Sequence, residues 1–348
     1  MKPSLVSFLR CPVTGEALRL VDARPGGAEE EILSGRLVSG SGREYEIVEG
    51  VPVLLDPSQW APGQTETRAS FSEKWKRAPN YREDTKPHYV RWYLERYGHG
   101  DLDGLQRFLD DKRFILDAGT GQGRDAELYA TNSRATVFGV DISEGIHVAY
   151  EGLRHIPNLH LVQADLTRLP FPAAVFDFIA CDQVIHHTPD TRAAFRALLH
   201  HLGRGHIAIY VYKVKGPVRE FCDDFIRSRT VKMSPEECLE FCEAMTRLGK
   251  ALSELHVDIE IPADIPLLGI RAGKYDLQRW IYWNVFKCYW NDSMDWTSNL
   301  ITNFDWYHPP HAHRHTPEEV RSWFEEECLA VERFSVLESG TSVIGRRE

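Results

Sequence analysis

Long apolar runs are missing from this sequence. No stretch reaches the roughly eighteen consecutive apolar residues that a membrane-spanning helix requires, so no membrane partner is expected. The N-terminal MKPSLVSFLRCPVTG has only a short apolar stretch and no small-residue cleavage pattern, so no secretory signal is read there. Positive charge is also short: 41 Lys and Arg stand against 51 Asp and Glu, a net −10. That balance argues against a long phosphate-binding surface and leaves room only for a local basic patch. Cysteine is sparse and odd in number, seven scattered along 348 residues, which fits reduced thiols in a cytoplasm better than a disulfide framework. Cys238 and Cys242 stand at i, i+4 of a helical pattern. No second His or Cys pair offers zinc spacing to complete a site there, so they read as buried small residues. Internal repeats and low-complexity tracts are absent too. What remains is ordinary globular composition, 43% hydrophobic and 26% charged, in a chain long enough for two domains or one with an insertion.

Texture divides the chain into five parts. Residues 1–58 are Gly-rich with short β-like runs at Leu18 to Val21, Arg36 to Val38, Tyr45 to Val48 and Val51 to Leu55. Residues 59–112 open on a polar linker and continue as helices carrying Phe71, Trp75, Tyr89, Trp92, Tyr93 and Tyr97, a connector or cap. Residues 113–215 alternate strand and helix, which implies a parallel sheet with helices on both faces and ligands beyond the carboxyl ends of the strands. Residues 216–314 are helical and aromatic, and 315–348 supply a last helix and two strands.

Four motifs in the third part carry chemistry. Phe114-Ile115-Leu116-Asp117-Ala118-Gly119-Thr120-Gly121-Gln122-Gly123 ends a strand in an acid and enters a helix through three glycines. Glycine allows close backbone approach and positive φ. A nicotinamide-dinucleotide turn would need G-x-G-x-x-G, yet Arg124 occupies the place of its third glycine. Val137-Phe138-Gly139-Val140-Asp141-Ile142-Ser143 ends the second strand in a carboxylate able to accept from both hydroxyls of a ribose, which shows a nucleoside without naming it. Gln163-Ala164-Asp165-Leu166 follows the third strand, with Leu169-Pro170-Phe171 beyond it. Phe176-Asp177-Phe178-Ile179-Ala180-Cys181-Asp182 leads into Gln183-Val184-Ile185-His186-His187. The structural alternatives are a tight turn, a helix-capping Asp141 and a turn-forming Asp165.

In order and spacing these motifs resemble class I S-adenosylmethionine (SAM)-dependent methyltransferases of the small-molecule type. The resemblance implies an α/β, Rossmann-like, seven-stranded, mostly parallel sheet whose last strand runs antiparallel. It implies SAM as cofactor, with Gly119, Gly121 and Gly123 along its methionine part and Asp117 near its ammonium. Asp141 would then hold the ribose and Ile142 would pack on the adenine. Asp165, with Leu166, would accept from the adenine amino group, and Asp182 would lie at the methionine end. Residues 1–58 resemble a Trm112-like small domain through Leu9-Arg10-Cys11-Pro12 and Tyr45 to Leu55. The second cysteine of the zinc pattern is Thr14 here, so a metal-free small domain with a structural or docking role is expected. Phe71 to Trp75 resembles the aromatic segment that often follows such domains. It either caps the SAM pocket or buries two rings at i, i+4.

The insertion, residues 216–314, has Trp280, Trp283, Phe286 and Trp290 at near-helical spacing, then Trp296, Trp306 and Tyr307. It reads as the core of a helical subdomain or as a lid lining the acceptor pocket, where aromatic faces favour a flat or cationic acceptor. Four histidines lie between His308 and His315, open to a metal, a substrate-contact or a solvated-loop reading, and the two prolines there keep the segment extended. Candidate bases for an oxygen or nitrogen acceptor are His186, His187, Tyr210, Tyr212, Tyr307, His308 and His311. A small-molecule acceptor is the leading expectation. RNA or protein methylation, hinted at by Lys213, Lys215 and Arg219, and a SAM-binding regulator without turnover are the rivals.

Overall fold

The computed structural model describes residues 1–26 and 31–348, so residues 27–30 of the N-terminal part lie outside it. The N-terminal part folds as β1 (Arg19–Pro25), β2 (Ile32–Val38), β3 (Glu44–Val48) and β4 (Val51–Leu54). Three helices follow: α1 (Gln64–Arg77), α2 (Tyr81–Tyr97) and α3 (Leu102–Leu109). Then strand and helix alternate: β5 (Phe114–Ala118), α4 (Arg124–Thr131), β6 (Thr136–Asp141), α5 (Gly145–Leu153), β7 (Leu159–Ala164), β8 (Phe176–Asp182), α6 (Thr191–His201) and β9 (Leu202–Tyr212). The insertion contains α7 (Pro217–Thr230), α8 (Pro235–Glu254), the hairpin β10 (Asp258–Ile261) and β11 (Gly273–Asp276), α9 (Leu277–Asn284) and α10 (Trp296–Tyr307). The chain closes with α11 (Pro317–Glu326), β12 (Ala330–Val336) and β13 (Gly340–Arg347).

The large sheet is mixed and mostly parallel at its centre, in the order β1-β2-β3-β4-β7-β6-β5-β8-β9-β13-β12. It has eleven strands, not the seven expected. The difference lies at β4, which pairs in parallel with β7 through Val53 opposite Gln163 and Leu54 opposite Ala164. That pairing covers the edge of β7, all of whose residues are buried, and so removes an exposed row of backbone donors and acceptors. Pro52 lacks an N–H, and it sits one residue before this pairing starts, where it faces only β3.

The period-two alternation of the strands sorts side chains onto two cores. Leu116, Phe138 and Ile179 enter one, while their neighbours Ile115, Val137 and Phe178 enter the other. Among the described residues, the N-terminal part has no separate core. Met1, Leu5, Leu9, Ile32, Leu37 and Ile47 belong to the same cluster as Leu116, Phe195 and Trp323. The small domain that the sequence suggested thus shares its buried apolar residues with the core sheet. A third cluster joins the α1–α2 junction, α8 and α10 through Ala78, Tyr81, Cys238, Cys242, Ile301, Phe304, Trp306 and Tyr307. Of the insertion's aromatics, Phe304, Trp306 and Tyr307 enter this cluster, while Trp280, Trp283, Phe286 and Trp296 stay half-buried. No helix among the described residues is long and apolar enough to cross a membrane.

Candidate functional site

The glycine turn is anchored before it reaches any ligand. The N–H groups of Gly119 and Thr120 both donate to the Val140 carbonyl, at 2.7 and 2.9 Å, which ties the end of β5 to the end of β6. Gly121 has φ +55°, and a Cβ there would lie 2.7 Å from Trp75 Cζ2, so α1 presses directly on the turn. A Cβ at Gly119, φ +89°, would lie closer still to Val184, on the loop after β8. Glycine is thus required at both positions by conformation and by contact.

A large cavity opens at the carboxyl ends of β5 to β8, with about 1190 Å³ of space between the atoms, its mouth included. The structure brings most of the expected cofactor residues to its wall: Phe71, Trp75, Gly119, Gly121, Asp141, Ile142, Asp165, Leu166 and Asp182. Asp117 and Gly123 are not on the wall. Asp117 is buried beneath the turn and accepts from Thr120 Oγ1 at 2.5 Å, and burial beside Asp125 pushes its carboxyl well up. Gly123 packs on Leu153 of α5.

Each wall carboxylate is held by identifiable donors. Asp141 accepts from the Gly121 N–H at 2.8 Å and the Ser143 N–H at 2.8 Å. Burial raises its pKa despite these bonds. Asp165 accepts from the Thr167 N–H and hydroxyl, both at 2.8 Å, and from Gln64 Nε2 of α1 at 2.8 Å. Asp182 is paired with Arg96 of α2 and accepts from Tyr97 OH at 2.8 Å, with Arg96 and Asp182 each about 1% exposed.

The expected bases separate sharply. His187 is on the wall, and its Nδ1–H donates to the His311 carbonyl at 2.7 Å. A carbonyl can only accept, so Nε2 carries the free lone pair. Burial pushes the His187 pKa down to about 3, so the ring is neutral at pH 7. Tyr212 is also on the wall, a phenol whose pKa burial raises well above 10. The others do not reach the cavity. His186 is fully buried, its ring centroid 3.7 Å from that of Tyr212. Tyr210 is buried against Arg96 and Trp92. Tyr307 OH donates to the Lys287 carbonyl at 2.7 Å. His308 Nδ1 bonds Ser70 of α1 at 2.8 Å, and His311 Nε2–H donates to the Pro62 carbonyl at 3.1 Å. The histidine segment therefore works as a clasp. Its backbone docks as well, with the His313 N–H on the His186 carbonyl and the His315 N–H on the Tyr212 carbonyl. Among the described residues no cluster of three or more His, Cys, Asp or Glu is placed to hold a metal.

Sequence reading missed Gln64, Lys74, Tyr81, Arg124 and Asp305, which also line the cavity. Asp305 is the cavity's contact with the insertion. Lys74 Nζ lies 3.0 Å from Asp305 Oδ2, and Lys287 Nζ lies 3.7 Å from Oδ1. Burial opposes ionisation of Asp305, but Lys74 and Lys287 outweigh it and hold the carboxyl below its ordinary range.

Residues 116–209 match the family model described as a methyltransferase domain. A comparison with curated proteins finds no match. Among solved structures, the chain is similar to a SAM-dependent methyltransferase from Aquifex aeolicus at 14% identity, over 72% of this chain and 90% of that one, with TM-score 0.38. It is similar to magnesium protoporphyrin IX methyltransferase from Synechocystis, with bound S-adenosylhomocysteine (SAH), at 15% identity over 82% and 100%, with TM-score 0.42. A phosphoethanolamine N-methyltransferase 2 of Haemonchus contortus, in complex with SAM, shares 26% over 36% of this chain and 31% of its own length, with TM-score 0.33. Likenesses of that size carry nothing about the acceptor. Within residues 116–209 the chain matches a methyltransferase domain, and SAM is the cofactor that the sequence motifs imply for it.

The residues present fit that cofactor. The cavity half at β5 to β7 offers a glycine turn too tight for any Cβ and two carboxylates with acceptor capacity left over. Thr67 Oγ1 and Trp75 Nε1 are buried in the wall without a hydrogen-bond partner among the described residues, so polar groups wait there for a ligand.

Proposed function

We propose that this chain transfers a methyl group from SAM to a small-molecule acceptor held in the same cavity. The observation that carries this reading is the continuity of the space. The wall that begins at the glycine turn and Asp141 runs on without a break to Lys74, Tyr81, Tyr89, His187, Tyr212 and Asp305. Helices α1 and α2 and the end of α10 cover that second half, which suits a molecule that enters whole better than an RNA or a protein side chain. The net charge of −10 points the same way.

In this reading Asp141 holds the ribose and Asp165, steadied by Gln64, faces the adenine edge. Trp75 and Phe71 close the cofactor half from α1. Asp182, oriented by Arg96 and Tyr97, lies at the methionine end. SAM supplies an activated methyl on a sulfonium, so the protein's share is alignment and exclusion of water. His187 presents the Nε2 lone pair to the acceptor half. A pKa near 3 makes it a poor proton store, so its part is to accept a hydrogen bond and orient the acceptor. The N-terminal strands serve as an extension of the core sheet, and 216–314 with its histidine clasp holds α1 over the cavity.

Calorimetric titration with SAM, SAH and NADH tests the cofactor half. Micromolar SAM binding, abolished in Asp141→Ala, is expected. NADH binding without SAM binding would refute the reading. Labelled SAM offered with a small-molecule extract, an RNA fraction and a protein fraction then tests the acceptor class, with label expected in the first alone.

A further inference from the structure

The acceptor half has a charge that the fold leaves unmatched. This inference rests on the methyl-transfer reading and concerns what is methylated. The aromatic faces there are already occupied by the protein's own cations. Lys74 Nζ stands 4.2 Å from the centre of the Trp75 ring and 5.3 Å from that of Tyr81. The Arg124 guanidinium stands 3.9 Å from the centre of Tyr89. A cationic acceptor would have to displace charges of its own sign to reach those rings.

Pairing the charges one by one shows the surplus. Arg96 is matched by Asp182, Arg124 by Asp125 at 3.1 Å, Arg82 by Glu83 at 2.7 Å and Arg219 by Asp223 at 2.6 Å. Lys74 and Lys287 are left to share Asp305. Two ammonium groups against one carboxylate leave one positive charge, on side chains only 9% and 6% exposed. His187 and Tyr212 beside them are uncharged and cannot answer it. Asp141 and Asp165, at the ends of β6 and β7 in the cofactor half, make no ion pair among the described residues, and Lys74 acts on Asp141 only from beyond contact distance. Of the two lysines, Lys74 faces the cavity. A buried cation without a full counter-charge is costly to keep, and a ligand anion would complete the pairing.

We infer that the acceptor is a small, flat molecule bearing an anionic group, which seats on Lys74 beside Asp305. Flatness follows from the Tyr212 ring on the wall, which none of these cations covers, and the anion from the unanswered ammonium.

Benzoate, benzamide and benzylamine have one ring and differ in charge, so they serve as probes. Each is titrated calorimetrically into the full chain with and without saturating SAH. Absence of SAH binding counts against the methyl-transfer reading alone, because the charge preference is read in both arms. Benzoate is expected to bind at least about tenfold more tightly than benzamide, and benzylamine least. Lys74→Met should erase the preference. Asp305→Asn removes the competing carboxylate and should tighten benzoate several-fold, which keeps the test open should Lys74→Met fail to fold. Equal affinity for the three probes, no benzoate binding, preference for benzylamine, or a benzoate affinity unchanged or weakened in Asp305→Asn would each overturn the inference.

Discussion

Arg96 and Asp182 form a buried ion pair at the cavity wall, and each is intelligible only through the other. Arg96 lies against the Trp92 ring at 3.8 Å, and Tyr97 supplies the second bond to Asp182. Arg96→Met leaves Asp182 buried without its counter-charge and should cost about 3–5 kcal/mol of stability, read from urea unfolding. Arg96→Met combined with Asp182→Asn should recover part of that loss. An equal loss in both variants would mean that the packing of Arg96, not its charge, is what counts. At the glycine turn, Gly121→Ala forces a side chain into the left-handed region and against Trp75. About 1–2 kcal/mol should be lost, and SAM affinity should fall further than stability because the turn itself must shift. Titration and thermal melts of the one variant separate these effects. Asp117, Gly119, Asp141, Asp165 and Asp182 were legible in sequence because each ends or follows a strand in one ordered run. The deeper burial of Asp117 was not, since whether a carboxylate faces a cavity or lies under its floor depends on strand twist and neighbours.

Helix α1 shows why some of the site escaped at the scale of elements. Its buried face is Gln64, Thr67, Ser70 and Lys74, a polar stripe at helical spacing. A search for apolar periodicity passes over such a stripe, because the rule assumes that what is buried is apolar. Here the buried face bonds Asp165, Asp305 and His308 and borders the cavity. Strand β4 carries the opposite lesson. Its boundaries were readable, but its partner was not, since parallel pairing with β7 joins residues more than a hundred positions apart. A chain lacking residues 1–56 would expose the edge of β7 and the apolar residues beneath it. It should aggregate rather than fold as a free methyltransferase core, as light scattering against the full chain would show. A monomeric, SAM-binding truncation would mean that the N-terminal strands are dispensable.

Across the whole molecule, buried neutral histidines set the response to acid. His187 is lowered to about 3, His160 to about 4 and His99 to about 4, in each case first by burial. Unfolded, each would titrate near the ordinary 6.5. Below that pH the unfolded chain binds protons that the native chain refuses, so stability is full above about pH 6.5 and falls progressively towards pH 3. Melting temperatures from pH 8 to 4 should decline most steeply below 6.5. His160→Gln, away from the cavity, should flatten the decline. A profile level down to pH 4.5 would contradict these burials.

The sequence by itself determined the alternating strands and helices, the glycine turn and the acids that follow each strand. These features depend on residues within a few positions of one another, where backbone sterics and side-chain period act directly. Only the tertiary structure decided that the N-terminal strands lengthen the core sheet, that the histidine segment is a clasp, and that Lys74 and Lys287 share one carboxylate. Those outcomes turn on which distant surfaces meet and exclude water, and burial, pairing and charge balance exist only once they have met.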